Sequence, residues 1–80
     1  MSKDEMKAFS ARIGGRVQGV GFRFSAVRKA RQLGVTGWIR NEFDGSVSVE
    51  CEGPSANVKQ FEQWLRTGPR SAHVTDADVR

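Results

Sequence analysis

Residues 15–23 read GRVQGVGFR, and they connect a segment with the pattern of a strand to one with the pattern of a helix. Glycines at positions 14, 15, 19 and 21 allow positive φ angles and let the backbone come close to a ligand. Such a loop can direct several amide N–H groups into one concavity, which favours an anion. Arg16 and Arg23 flank the loop, and a guanidinium matches the oxygens of a phosphoryl group. The stretch therefore predicts a phosphate-binding loop at a helix N-terminus.

A purely structural role for the same residues is the alternative. Gly19 and Gly21 would serve a tight turn between strand and helix, and Arg23 would be an ordinary residue of the first helical turn. A cation in that turn is unfavourable against the helix dipole, however. An anionic partner for Arg23 removes this conflict, and so the loop favours the binding interpretation.

Charge is unevenly distributed along the chain. Eight basic residues and no acidic one lie between Met6 and Asn41, whereas seven acidic and four basic residues lie between Glu42 and Arg80. The N-terminal half thus has a positive field that would attract small anions or a nucleic-acid backbone. For the basic residues of the first helix, the alternative is a charged face that simply contacts water.

Length and composition limit the classes of protein that fit. Eighty residues predict one domain over positions 1–80, with an ordered core at about 8–79. The N-terminus lacks the apolar run of a signal peptide, and no stretch approaches the length that spans a membrane. The single cysteine, Cys51, cannot form an internal disulfide, which favours a reducing cytoplasm. We expect a cytoplasmic protein without a membrane partner, and a monomer by default.

Hydrophobic periodicity predicts six elements in the order βαββαβ. Alternating residues indicate strands at Phe9–Ile13, Val35–Arg40, Val47–Glu52 and Val74–Val79. Apolar residues at helical spacing indicate one helix that ends at Gly34 and another after Ser55, a candidate N-cap. The middle strands form a hairpin through Asp44-Gly45. Trp38 and Trp64 are expected in the core.

This order predicts an α+β fold, a ferredoxin-like α/β sandwich with an antiparallel sheet and both helices on one face, because each helix has one apolar stripe. In that fold the loop of residues 17–22 approaches the end of the second strand, where Asn41 lies. The alternative is that Asn41 has no role in binding and is only a turn residue.

The side chains available restrict the chemistry. The loop contains no Cys, Ser, Asp or His that could form a phospho-enzyme, and it departs from the Walker pattern for nucleotides. No His, Cys or carboxylate cluster has the spacing of metal ligands. His73 is expected at the surface and Cys51 in the core. An anion site with an arginine and a nearby carboxamide suits phosphoryl transfer, which depends mainly on positioning and charge stabilisation.

Two stretches together resemble the acylphosphatase family. The first is GRVQGVGFR at 15–23, and the second is LGV-x-GWIRN-x-x-DG at 33–45. The similarity continues through Glu52-Gly53 and GP-x-SA-x-V at 68–74, and so covers most of residues 8–79.

The resemblance implies a small cytoplasmic hydrolase that cleaves the carboxyl–phosphate bond of an acylphosphate, releases inorganic phosphate and needs no cofactor and no metal. By motif position, Arg23 is the phosphate-binding arginine and Asn41 the residue that positions water. The phosphate-binding loop then consists of Val17, Gln18, Gly19, Val20, Gly21 and Phe22.

One departure and two rival functions accompany this resemblance. Similar proteins generally continue past the position of Arg80 into a further strand, so we expect a truncated or short C-terminal sheet edge. A non-catalytic or accessory acylphosphatase-like domain would bind phosphate without turnover. A nucleic-acid-binding module would present aromatic residues on its sheet, whereas the hairpin offers Ser48, Glu50 and Glu52. We therefore expect no nucleic-acid partner.

Overall fold

The computed structural model describes residues 5–80. Its elements are β1 (Met6–Arg16), α1 (Phe22–Leu33), β2 (Thr36–Asn41), β3 (Val47–Pro54), α2 (Ser55–Thr67) and β4 (His73–Val79). The order βαββαβ confirms the predicted ferredoxin-like architecture. Within residues 5–80, no helix has the length and apolar character needed to cross a membrane.

The four strands form one antiparallel sheet in the order β2-β3-β1-β4. The register aligns Ile13 of β1 with Val47 of β3, and Val47 in turn with Asn41 of β2. The loop at 17–21 follows β1 just beyond this row. The loop and the C-terminal end of β2 therefore lie at the same end of the sheet's strands.

Alternation in the two central strands determines which side chains form the core. Every second residue of β1 from Phe9 to Ile13, and of β3 from Val47 to Cys51, is buried. These side chains share one cluster with apolar residues of both helices, namely Phe22, Ala26, Val58, Phe61 and Leu65. The helices therefore cover one face of the sheet, as their apolar stripes require.

The prediction for Trp38 was wrong, whereas that for Trp64 was confirmed. Trp64 packs partly buried against the core, beside Phe22 and Phe61. Trp38 lies on edge strand β2, is 43% exposed, and has the Arg40 guanidinium 4.8 Å above its ring. Alternation placed Trp38 and Ile39 on opposite faces correctly, but the helices cover the face of Ile39.

Helix α2 begins one residue earlier than an N-cap at Ser55 requires. Ser55 is the first helical residue, Pro54 is the N-cap, and no side chain among residues 5–80 caps this helix. The Ser55 amide instead donates to the carbonyl oxygen of Glu5, at 2.8 Å. The N-cap prediction was therefore wrong, because a tertiary backbone contact satisfies the donor.

Strand β1 extends further than its alternating residues indicated, because β4 pairs with its second half. The pairing reaches Arg16 opposite His73, with a register shift between Gly14 and Gly15. At the other end of this pair, Arg80 and Ser10 exchange two backbone hydrogen bonds, of 3.1 and 2.7 Å. The bulge bends the end of β1 where it enters the loop.

Replacing Gly37 with alanine should destabilise the fold by more than about 3 kcal/mol. Gly37 has φ +148°, and a Cβ atom there would collide with the backbone of Glu50 and Cys51 on β3. Urea unfolding followed by circular dichroism measures the effect. The control is Gly34→Ala, where φ is +67° and the added Cβ meets nothing within 4 Å, so that a cost of about 1 kcal/mol is expected. Equal losses in the two variants would contradict the prediction.

Candidate active site

The loop between β1 and α1 presents unpaired backbone donors. Gly21, with φ +80°, is the N-cap of α1, and no side chain in the described part of the chain caps the helix. The first helical hydrogen bond runs from the Ser25 amide to the Gly21 carbonyl. Residues 18–21 form a turn, but within residues 5–80 no protein acceptor has ordinary hydrogen-bond geometry to an amide from Gln18 to Arg23. The helix N-terminus and its loop therefore offer a set of N–H groups to an external acceptor.

Electrostatics around α1 favour an anion at this position. The first turn contains no acidic residue, and it contains Arg23, which is exposed. No carboxylate of residues 5–80 forms a salt bridge with Arg23 or with Arg16. Neither guanidinium is thus paired with a carboxylate of these residues, and Arg23 lies in the helical turn where the dipole is positive.

The side chain of Gln18 connects the loop to the hairpin between β2 and β3. Its Nε2 donates to the carbonyl oxygens of Glu42 and Ser46, at 2.7 and 2.8 Å. The hairpin follows directly after Asn41, so these contacts place the end of β2 beside the loop. The structure thus brings the loop and the segment containing Asn41 together, as the fold type led us to expect.

Ser71 holds the loop from another direction. Its Oγ donates to the carbonyl oxygen of Val20, at 2.6 Å. In a trans peptide the N–H of the next residue points opposite to that carbonyl, so the Gly21 amide points away from Ser71. Sequence reasoning included Ser71 in the resemblance but gave it no role, because 51 residues separate it from Val20.

The hairpin is fixed by its own polar contacts. Asp44 accepts hydrogen bonds from the amide and the hydroxyl of Ser46, at 2.9 and 2.6 Å, and these bonds hold the pKa of Asp44 below its usual range. Glu42 accepts from Arg40 at 2.9 Å, which lowers the pKa of Glu42. Arg12 lies 3.4 Å from Asp44. Both carboxylates beside Asn41 thus already have cationic partners, which reduces their repulsion of an anion.

The two remaining reactive side chains are His73 and Cys51. His73 is exposed at the start of β4, as expected, and lies opposite Arg16 of β1 in the sheet. Cys51 is a buried, free cysteine in the core, and burial raises the pKa of its thiol to about 11. Within residues 5–80, no three His, Cys, Asp or Glu side chains come together as a group that could hold a metal ion.

A family model described as acylphosphatase matches residues 9–80. The chain belongs to the acylphosphatase family. An acylphosphatase from Salinibacter ruber is 55% identical over 73 residues, which is 91% of this chain and 77% of the relative. Membership of this family makes the present chain a hydrolase, as its motifs indicated.

Solved structures give the same assignment. The acylphosphatase of Coxiella burnetii superposes with a TM-score of 0.91 at 30% identity, covering 100% of this chain and 86% of the other. Full-length HypF, solved in a phosphate- and nucleotide-bound form, gives 0.87 at 26% identity, covering 96% of this chain but 10% of HypF. The same fold thus occurs both as a small acylphosphatase and as a minor part of a larger protein.

Proposed function

We propose that this acylphosphatase holds the phosphoryl group of an acylphosphate with Arg23 and the amides of Val17–Phe22, while Asn41 orients the attacking water. The water oxygen forms a bond to phosphorus as the bond from phosphorus to the carboxyl oxygen breaks. The electron pair leaves with the carboxylate, and the proton of the water passes to phosphate or solvent. The products are a carboxylate and inorganic phosphate.

The unpaired amides of the loop are the observation that carries this proposal. Donors that no group of residues 5–80 satisfies, next to an arginine that pairs with no carboxylate of those residues, suit an anion with several oxygens. In the transition state the negative charge spreads over the equatorial phosphoryl oxygens, so fixed donors around them stabilise it. A carboxylate is a good leaving group, and the reaction therefore requires no general acid from the protein.

The role of Asn41 rests on its location. It is the last residue of β2, it is exposed, and the hairpin after it is bonded to the loop through Gln18. A carboxamide can accept one proton of a water and donate to its oxygen, which fixes the direction of a lone pair. An exposed carboxamide beside the phosphoryl site supports the role of orienting water for in-line attack.

Hydrolysis of a synthetic aryl acylphosphate, followed by loss of its ultraviolet absorbance in buffer with EDTA, tests the proposal. We expect turnover without added metal and competitive inhibition by inorganic phosphate. If the folded chain binds phosphate but gives no turnover, it is an anion-binding domain instead. If it binds oligonucleotides in a salt-sensitive manner and gives no turnover, the nucleic-acid alternative replaces the enzyme.

Surroundings and partners form the remaining part of the proposal. A free, buried cysteine suits a reducing compartment, and so we propose that the protein works in the cytoplasm. The uncovered face of the sheet carries Glu50 and Glu52, which repel a nucleic-acid backbone. We propose that it acts as a monomer on small acylphosphates, without nucleic-acid or membrane partners.

A further inference from the structure

We propose that Gln18 is a positioning residue, which fixes the distance between the phosphate-binding loop and Asn41. This inference rests on the proposed function. Sequence reasoning included Gln18 in the loop for its amide alone, whereas the side chain forms a separate connection to the hairpin. The side chain acts on the reaction through Asn41 and does not contact the reacting atoms, whereas the backbone amide of Gln18 belongs to the proposed phosphate-binding loop.

The contacts of Gln18 are suited to this purpose. The Nε2 group donates one hydrogen bond to the carbonyl oxygen of Glu42 and one to that of Ser46, on opposite sides of the turn. Those two residues are themselves paired, because the Glu42 amide donates to the Ser46 carbonyl at 2.8 Å. Gln18 is thus bonded to the closed base of the hairpin, one residue after Asn41.

If the Gln18 side chain is removed, the hairpin should keep its internal shape and move as one piece. Its internal shape depends on the bonds of Asp44 to Ser46 and on the pairing between Glu42 and Ser46, none of which involves Gln18. The loop has a second, independent connection through Ser71. Removing the Gln18 side chain therefore leaves both parts formed but frees one to shift against the other.

The two contacts require a side chain of this length that presents two N–H donors. Glutamate has the same shape but presents oxygens to both carbonyls, so it repels them. Methionine has a similar length and no donor. Misplacement of a reacting group by about 1 Å can cost up to 100-fold in rate, and we expect kcat to fall about 30-fold in Gln18→Met and more in Gln18→Glu. In Gln18→Met, which adds no charge, the inhibition constant of inorganic phosphate should stay within about threefold, since the amides and Arg23 remain.

The test measures kcat, KM and inhibition by phosphate for the parent, both Gln18 variants, and Asn41→Ala with and without Gln18→Met. Gln63→Met and Gln63→Glu, on the exposed surface of α2, are the matched controls and should equal the parent. If Gln18 acts through Asn41, Gln18→Met should lower kcat in the parent and change it less than threefold in Asn41→Ala.

Three results would overturn the inference. The first is an unchanged kcat in Gln18→Met. The second is a loss of phosphate affinity in Gln18→Met as large as its loss of kcat, which would assign the Gln18 side chain to phosphate binding. The third is an equal fold-change of kcat in the two backgrounds. A folded parent that lacks turnover would contradict the proposed function and this inference together, whereas an active parent with any of these results contradicts the inference alone.

Discussion

Arg23→Ala should lower kcat/KM for an acylphosphate by about 1,000-fold, equivalent to about 4 kcal/mol of transition-state stabilisation. Arg23 is the cation in the first turn of α1, where it forms no salt bridge with a carboxylate of residues 5–80. Its fork would hold two phosphoryl oxygens as the charge on them redistributes. Steady-state kinetics with a synthetic aryl acylphosphate, together with inhibition by inorganic phosphate, measures the loss. Both KM and the inhibition constant should rise, because the same guanidinium binds substrate and product.

The stability of this variant should change in the opposite direction from its activity. A cation near the helix N-terminus is unfavourable by about 0.3–1 kcal/mol, so its removal should leave the free energy of unfolding equal or slightly higher. Arg28→Ala, five residues further along α1 at an exposed position, is the matched control and should retain full activity. An active Arg23→Ala variant, or an equal loss in Arg28→Ala, would contradict the role assigned to Arg23. Arg23→Lys should show an intermediate loss, since it keeps the charge but not the fork.

Local patterns predicted the elements because each element has one covered face. Alternation along Phe9–Ile13 and Val47–Cys51 reflects burial under the helices, and the structure confirms it. Element ends were less predictable, since β1 continues to Arg16 only through its pairing with β4. Sheet order is also invisible to periodicity. In the observed order β2 is an edge strand, and Trp38 lies on the face of the sheet that the helices do not cover. The alternation around Trp38 is the same as that around a core residue, so the sequence alone does not distinguish the two faces.

The candidate site shows the same division between local and long-range information. The glycines, Arg23 and the helix N-terminus are adjacent in sequence, and their combination predicted an anion site without any knowledge of the fold. The roles of Gln18 and Ser71 depend on partners that are 24, 28 and 51 residues away. No spacing rule connects a glutamine to two carbonyl oxygens in a distant turn. Every residue has a backbone carbonyl, so the sequence does not indicate which carbonyl accepts a given hydrogen bond. Only the folded structure shows it.

Asn41→Ala should lower kcat by about 100- to 1,000-fold while leaving the inhibition constant of inorganic phosphate nearly unchanged. The phosphoryl group would still bind to the loop amides and Arg23, but the attacking water would lose its fixed direction. Asn41 is exposed at the end of β2, so truncation to alanine should change the free energy of unfolding by less than about 0.5 kcal/mol. Kinetics and urea unfolding of the same preparation separate these two effects.

Two further variants make this prediction specific to the carboxamide. Asn41→Asp keeps the shape but adds a negative charge beside the phosphoryl group, so it should weaken phosphate binding as well as lower kcat. Asn57→Ala, on α2, makes the same substitution outside the site and should leave kcat unchanged. Full activity in Asn41→Ala would exclude the residue from the mechanism. A loss of phosphate affinity equal to the loss of kcat would assign Asn41 to phosphate binding, because a residue that orients the water stabilises the transition state more than the bound product.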